Sequence, residues 1–117
     1  MTLRTDRVGE AIREVIAAAV ADLTDPRLGL VSITGVDIAP DMANAVVYYS
    51  TFGDDETVAA TGEALTHAAG RLQRAVARDV RLKRTPRLRF AVDHGIVEGE
   101  HIDAVLREMG EVGGDRK

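Results

Sequence analysis

Arg71, Arg74, Arg78 and Arg81 follow one another at steps of three and four residues, the spacing that stacks side chains on one face of a helix. At about 100° per residue they fall within an arc of about 80°, with Leu72, Val76 and Val80 on the opposite side. A guanidinium is a planar fork that holds two phosphate oxygens at once, so the chemistry this stripe offers is the gripping of a polyanion. Lys83, Arg84, Arg87 and Arg89 continue the series, giving eight bases against one acid, Asp79, and a local net charge of +7. Before Arg71, eleven acids face four bases, a net of −7; after Arg89, seven acids face three bases, a net of −4. The overall charge of −4 therefore hides a concentrated positive patch. A solvated helix face ordinarily mixes both signs. A stretch this one-sided repels itself until something neutralises it, and phosphate is the reading the charge supports. An acidic protein docking on the same basic face is the alternative. A membrane surface fits less well, because no apolar face with aromatic anchors accompanies the bases.

Other chemistries find little support. His67, His94 and His101 are the only imidazoles. A hydrolytic or metal site drawn from His94 and His101 with Asp93, Glu98 and Glu100 matches no metal-ligand spacing, and these read as surface polar residues. Asp93 reads as a balance for a neighbouring arginine. Tyr48 and Tyr49 are adjacent on a strand pattern, so one faces the core and the other does not. No glycine run precedes a Lys-Ser or Lys-Thr pair, so no phosphate loop is present. With aromatics at 3%, base stacking on several rings is not expected. The absence of Cys excludes disulfides and thiolate metal sites and suits a reducing cytoplasm. No cofactor is implied.

The elements that must position the stripe are legible from periodicity. A chain of 117 residues is one domain by size. The longest apolar run, Val15 to Ala21, is too short to span a bilayer, and Asp6 and Glu10 before it argue against a signal peptide. Val8, Ile12, Val15, Ile16, Ala19 and Leu23 mark one face of a helix from about Leu3 to Leu23, ended by Asp25-Pro26. Gly9 inside it costs about 1 kcal/mol relative to Ala, which predicts loose first turns. Leu30 to Ala39 reads as a strand whose inward phase flips at Gly35, as a bulge would make it. Pro40-Asp41 is a turn, and Asn44 to Phe52 a second strand forming an antiparallel hairpin with the first. A helical pattern runs from Thr57 to Val80, with a bend or break at Gly70. Arg81 to Pro86 is a basic loop. Arg87 to Asp93 is a strand with Leu88, Phe90 and Val92 inward and Arg87 and Arg89 outward. His101 to Met109 predicts a short terminal helix, and residues 110–117 a disordered tail. The class is α+β, two layers, with helices over one sheet face.

From about Arg4 to Met109 the chain resembles bacterial ribosome-binding factor A. The matching pieces are Arg4-Thr5-Asp6-Arg7-Val8, Asp25-Pro26-Arg27-Leu28-Gly29, Pro40-Asp41-Met42, Ala68-Ala69-Gly70-Arg71-Leu72, and Arg84-Thr85-Pro86-Arg87-Leu88-Arg89-Phe90 with Asp93. The resemblance implies a single-domain type II KH-like fold over residues 1–109, ordered helix-strand-strand-helix-kink-helix-strand. In place of a Gly-x-x-Gly loop, the family joins its two central helices by an Ala-x-Gly kink, here Ala68, Ala69 and Gly70. A small residue at such a bend permits close backbone approach to RNA or to a neighbouring helix. The resemblance also implies a non-catalytic assembly factor; the chain is expected to be monomeric and cytoplasmic, with no membrane role. It would bind the free 30S subunit and the 5′-terminal helix region of 16S rRNA, supporting late maturation, rRNA processing by other enzymes, and growth in the cold. Arg4 and Arg7 would add contacts from the first helix to those of Arg71, Arg74, Arg78, Arg81, Lys83, Arg84, Arg87 and Arg89. Arg87 stands where many relatives carry an acid or a neutral residue, which makes this patch more basic.

Overall fold

A computed structural model describes residues 3–94, with side chains from residue 6 onward. The element order is α1 (Leu3–Ala21), β1 (Val31–Ile38), β2 (Asn44–Thr51), α2 (Asp55–His67), α3 (Ala69–Asp79) and β3 (Arg87–Val92). The expected terminal helix at His101 to Met109 and the tail at 110–117 lie outside the described residues.

The three strands form one sheet in the order β1-β2-β3. β1 and β2 are antiparallel, and β2 and β3 are parallel. The hairpin therefore needs only the Pro40-Asp41 turn, where the Asp41 carboxylate accepts from the Ala43 N–H at 2.8 Å. The parallel pair needs a long crossover, supplied by α2 and α3. The register of β1 on β2 slips between Ile33 and Gly35. This bulge lets Ile33 and Ile38, of opposite parity, both turn inward, at 7% and 1% exposure.

All described helices pack on one face of the sheet. Ile12, Ile16 and Val20 of α1, Leu65 of α2, and Leu72 and Val76 of α3 meet Ile33, Ile38, Ala45, Val47, Tyr49, Leu88 and Phe90 in one core. Val92, expected inward with Leu88 and Phe90, is half-buried at its edge. Gly9 is buried, and a Cβ there would stand 2.7 Å from the Val36 carbonyl oxygen. The glycine is thus the contact at which α1 comes down on β1. On the other sheet face Ala39, Val46 and Tyr48, with Ala91, form a smaller cluster. Burial first, and then Asp37, raises the Tyr48 phenol well above its ordinary value.

The long helical pattern does break, two residues before Gly70. Ala68 (φ −88°, ψ 3°) closes α2 by donating its N–H to the carbonyls of Ala64, Leu65 and Thr66, and it is also the N-cap of α3. Gly70 has ordinary helical geometry inside the first turn of α3.

Candidate nucleic-acid interface

Two anchors set the orientation of α3. Leu72 and Val76, both 0% exposed, seat one side in the core, and the Gln73 side chain accepts a hydrogen bond from the Leu88 N–H at 3.4 Å. With that side fixed, Arg71, Arg74 and Arg78 point into solvent. The loop after α3 repeats the division. Leu82 packs against the core and Pro86 is fully buried, while Arg81, Lys83 and Arg84 are exposed.

The three helix arginines line one wall of a groove of about 490 Å³ between α3 and α1. Ala18, Ala19 and Ala75 lie along it, and Glu14 of α1 and Asp22, just after that helix, stand on the facing wall. A second groove, of about 580 Å³, shares Arg71 and Arg74 and continues past Gly70, Ala68 and His67 to Asp25 and Pro26. Residues 22–24, which follow α1, thus lie beside the start of α3, and Glu14 of α1 lies beside its end. The two helices are antiparallel. Arg7 is exposed and lies about 10 Å before Glu14 along the α1 axis, toward the end from which the basic loop departs. Arg4 is on α1, but its side chain lies outside the described residues.

The start of α3 is itself attractive to anions. Its N-cap, Ala68, offers no side-chain acceptor, so no capping side chain occupies the first N–H groups at the positive end of the helix dipole. A Cβ on Gly70 would come no nearer than 3.6 Å to the mobile tip of Arg74, an ordinary contact. The fold therefore does not require glycine at this exposed position.

Counter-charges decide which cations are available. Among the described residues, no carboxylate lies within ion-pairing reach of Arg71, Arg74, Arg81, Lys83, Arg84 or Arg87. Arg78 is held by Asp79 at 3.0 and 3.1 Å. The pair is exposed, so it is worth little in stability, but the Asp79 carboxylate offsets the Arg78 charge at that end of the stripe. Arg27 is held by Asp25 through its side chain at 3.0 Å and through its backbone N–H at 2.9 Å. Those hydrogen bonds bring the Asp25 carboxyl down to about 2.

The strand arginines are not on the helix surface. Arg87 and Arg89 alternate with Leu88 and Phe90 and so occupy the sheet face away from the helices, paired in register with Asn44 and Val46. Arg87 is exposed there, but Arg89, expected outward, is half-buried, and its Nε is buried with no hydrogen-bond partner among the described residues. Burial, and then the nearby Arg87 charge, lowers its affinity for its proton. The eight bases thus divide into a helix-and-loop group of six and a strand pair, joined by the loop that wraps the sheet end. The acidic wall of Glu14 and Asp22 was missed from the sequence, although Glu14, Ala18 and Asp22 recur at four-residue steps. His94 is exposed and His101 lies outside the described residues. Among the described residues no cluster of three or more His, Asp or Glu is arranged to hold a metal, and no helix is long and apolar enough to cross a membrane.

Residues 4–106 match the family model for "Ribosome-binding factor A". Ribosome-binding factor A of Geobacter sulfurreducens is 39% identical over 107 residues, covering 91% of each chain. The solution structure of a Thermotoga maritima putative ribosome binding factor A superposes with a TM-score of 0.73 at 31% identity, covering 83% of this chain and 93% of that one. Thermus thermophilus ribosome binding factor A, as a homology model fitted into the cryo-EM map of a 30S complex, gives 0.60 at 32% identity, covering 74% and 92%.

Proposed function

The chain belongs to the ribosome-binding factor A family, and from that premise we propose that it binds the small ribosomal subunit through RNA, using the start and exposed side of α3. The observation that carries this reading is the open N-terminus of α3. There Gly70 keeps the approach clear, while Arg71 and Arg74 flank it without carboxylate partners among the described residues. A phosphate placed there meets backbone N–H donors, the helix dipole and two guanidinium forks together. Arg81, Lys83 and Arg84 extend the contact along the backbone, Arg7 joins it from α1, and Arg87 and Arg89 take up RNA that bends around the sheet end. Arg78 contributes less because Asp79 competes for it.

In this reading the protein does no covalent chemistry. It acts by occupancy in the cytoplasm: it holds 16S rRNA near its 5′-terminal helix region in one local conformation during late 30S maturation, and leaves when the particle closes. Processing of the RNA falls to other enzymes. Support for cold growth follows from the same idea, since misfolded RNA escapes more slowly at low temperature. Sedimentation of the purified chain with free small subunits and with assembled ribosomes tests the proposal. The chain should travel with the free subunits and remain at the top of the gradient with the assembled ones. Equal association with both, or with neither, contradicts it.

A further inference from the structure

The sheet end opposite the basic loop presents two large apolar side chains to solvent. Leu30 is 77% exposed and Phe52 80%. Val31 and Thr51 are register partners, so Leu30 and Phe52, one position further out on each chain, stand across from each other. Thr51 Oγ1 donates to the Leu30 carbonyl at 3.0 Å, which ties the two chains together at this point. Gly53 then turns the chain with φ +136°, where a Cβ would lie 2.7 Å from the Thr57 side chain; a side chain here would be strained as well as crowded. Asp54 caps α2, accepting from the Thr57 N–H at 2.9 Å and from its hydroxyl at 2.8 Å. The Phe52 ring is therefore displayed from a fixed turn. Single exposed apolar residues are ordinary, but two facing each other across the strand ends, one of them beside a braced turn, make an apolar spot.

Its surroundings are acidic. Asp54, Asp55 and Glu56 follow Phe52 and are exposed. Asp93 follows β3 at the same end, its N–H donating to the Tyr49 carbonyl at 2.8 Å. Arg27, upstream of Leu30, is taken up by Asp25 and lies 3.9 Å from Glu63. The basic loop joins β3 beside Asn44, a strand length of about 25 Å away. A nucleic-acid backbone would be repelled at the acidic end and a cationic chain attracted. We infer that Leu30 and Phe52, framed by Asp54, Asp55 and Glu56, form a docking point for a basic polypeptide that inserts an apolar side chain. It would be a second surface, of opposite sign and at the opposite end from the one proposed for RNA. The inference stands whether or not α3 binds phosphate.

The test uses the full chain and a labelled synthetic peptide of lysines interrupted by leucines, read by fluorescence anisotropy. A lysine-only peptide and a single-stranded oligonucleotide serve as parallel probes. The leucine-containing peptide should bind saturably, and Phe52→Ser or Leu30→Ser should weaken it about tenfold. The pair Asp55→Asn with Glu56→Gln should weaken it as well, with the Asp54 cap left in place. Both apolar side chains are exposed, so melting temperatures should not change. No binding, binding undiminished by Phe52→Ser, or equal binding of the lysine-only peptide overturns the inference. If Phe52→Ser instead abolishes oligonucleotide binding, the ring stacks on a base and the inference is wrong. If it abolishes only concentration-dependent self-association, the occupant is a second copy, and the inference is again wrong.

Discussion

Gly9 of α1 lies directly on the backbone of Val36 in β1, where a Cβ would meet the carbonyl oxygen at 2.7 Å. Two effects oppose each other at this position. Alanine would improve helix propensity by about 1 kcal/mol. It would also drive a methyl into a main-chain oxygen at a buried helix–sheet contact, and overpacking there costs about 1–3 kcal/mol. The second should win, because Ile12 and Ile16 hold α1 to the same sheet and leave it no room to rise. Gly9→Ala should lower stability by about 1 kcal/mol in urea denaturation, with the slope unchanged.

Gly70 makes the opposite case. Its Cβ would meet nothing closer than the Arg74 tip at 3.6 Å, and its backbone is helical. Gly70→Ala should leave stability unchanged or raise it by about 0.5 kcal/mol, and should weaken RNA binding if a phosphate approaches the start of α3. Thermal melting and RNA titration of one variant separate the two effects. Destabilisation would mean that glycine serves the fold.

Asp79 competes with RNA for Arg78, which it holds at 3.0 Å. Asp79→Asn removes that competitor and one repelling charge. Since exposed pairs are worth about 0–1 kcal/mol, RNA affinity should rise by a few-fold at low salt, and the gain should fade as salt rises. Filter binding of the wild type and the variant across a salt series measures it.

Acid should loosen the exit from α1 over a defined range. The Arg27 hydrogen bonds bring Asp25 from an ordinary 3.8 to about 2. A carboxylate with a depressed folded-state value stabilises the fold above its unfolded value, and loses that contribution as pH falls through the folded one. The stability gap between the wild type and Asp25→Ala should therefore be full above pH 4 and close between about pH 4 and pH 2. Paired melting curves over that range report it.

Much of the fold is legible in the sequence because it rests on local patterns. The three-and-four stepping of Val8, Ile12, Val15 and Ala19 marks α1. The parity flip between Ile33 and Ile38 marks the bulge, and Pro40-Asp41 the hairpin turn. Other features depend on tertiary packing. Ala68, a good helix former, breaks the long helix where no local breaker stands, and Gly70, which looks like one, does not. The alternation of β3 separates Leu88 from Arg89 but says nothing of what meets the second face, so Arg89 reads as exposed when it is half-buried. The same alternation sets Arg87 and Arg89 on the sheet face away from the stripe at Arg71, Arg74 and Arg78, which charge counting cannot reveal. The matching pieces of the family resemblance also lie where the fold turns or closes, at Asp25-Pro26, Pro40-Asp41 and Ala68 to Gly70.

The central claim is that RNA phosphate meets the start and exposed side of α3, and the salt dependence of binding to small-subunit ribosomal RNA tests it most directly. If about four phosphates are neutralised, log affinity should fall against log salt with a slope near −3.6, and Arg71→Gln with Arg74→Gln should make that slope shallower by about 1.8. Both side chains are exposed, so the double variant should melt with the wild type. A flat dependence for the wild type, or an unaltered slope in the folded variant, would contradict the account.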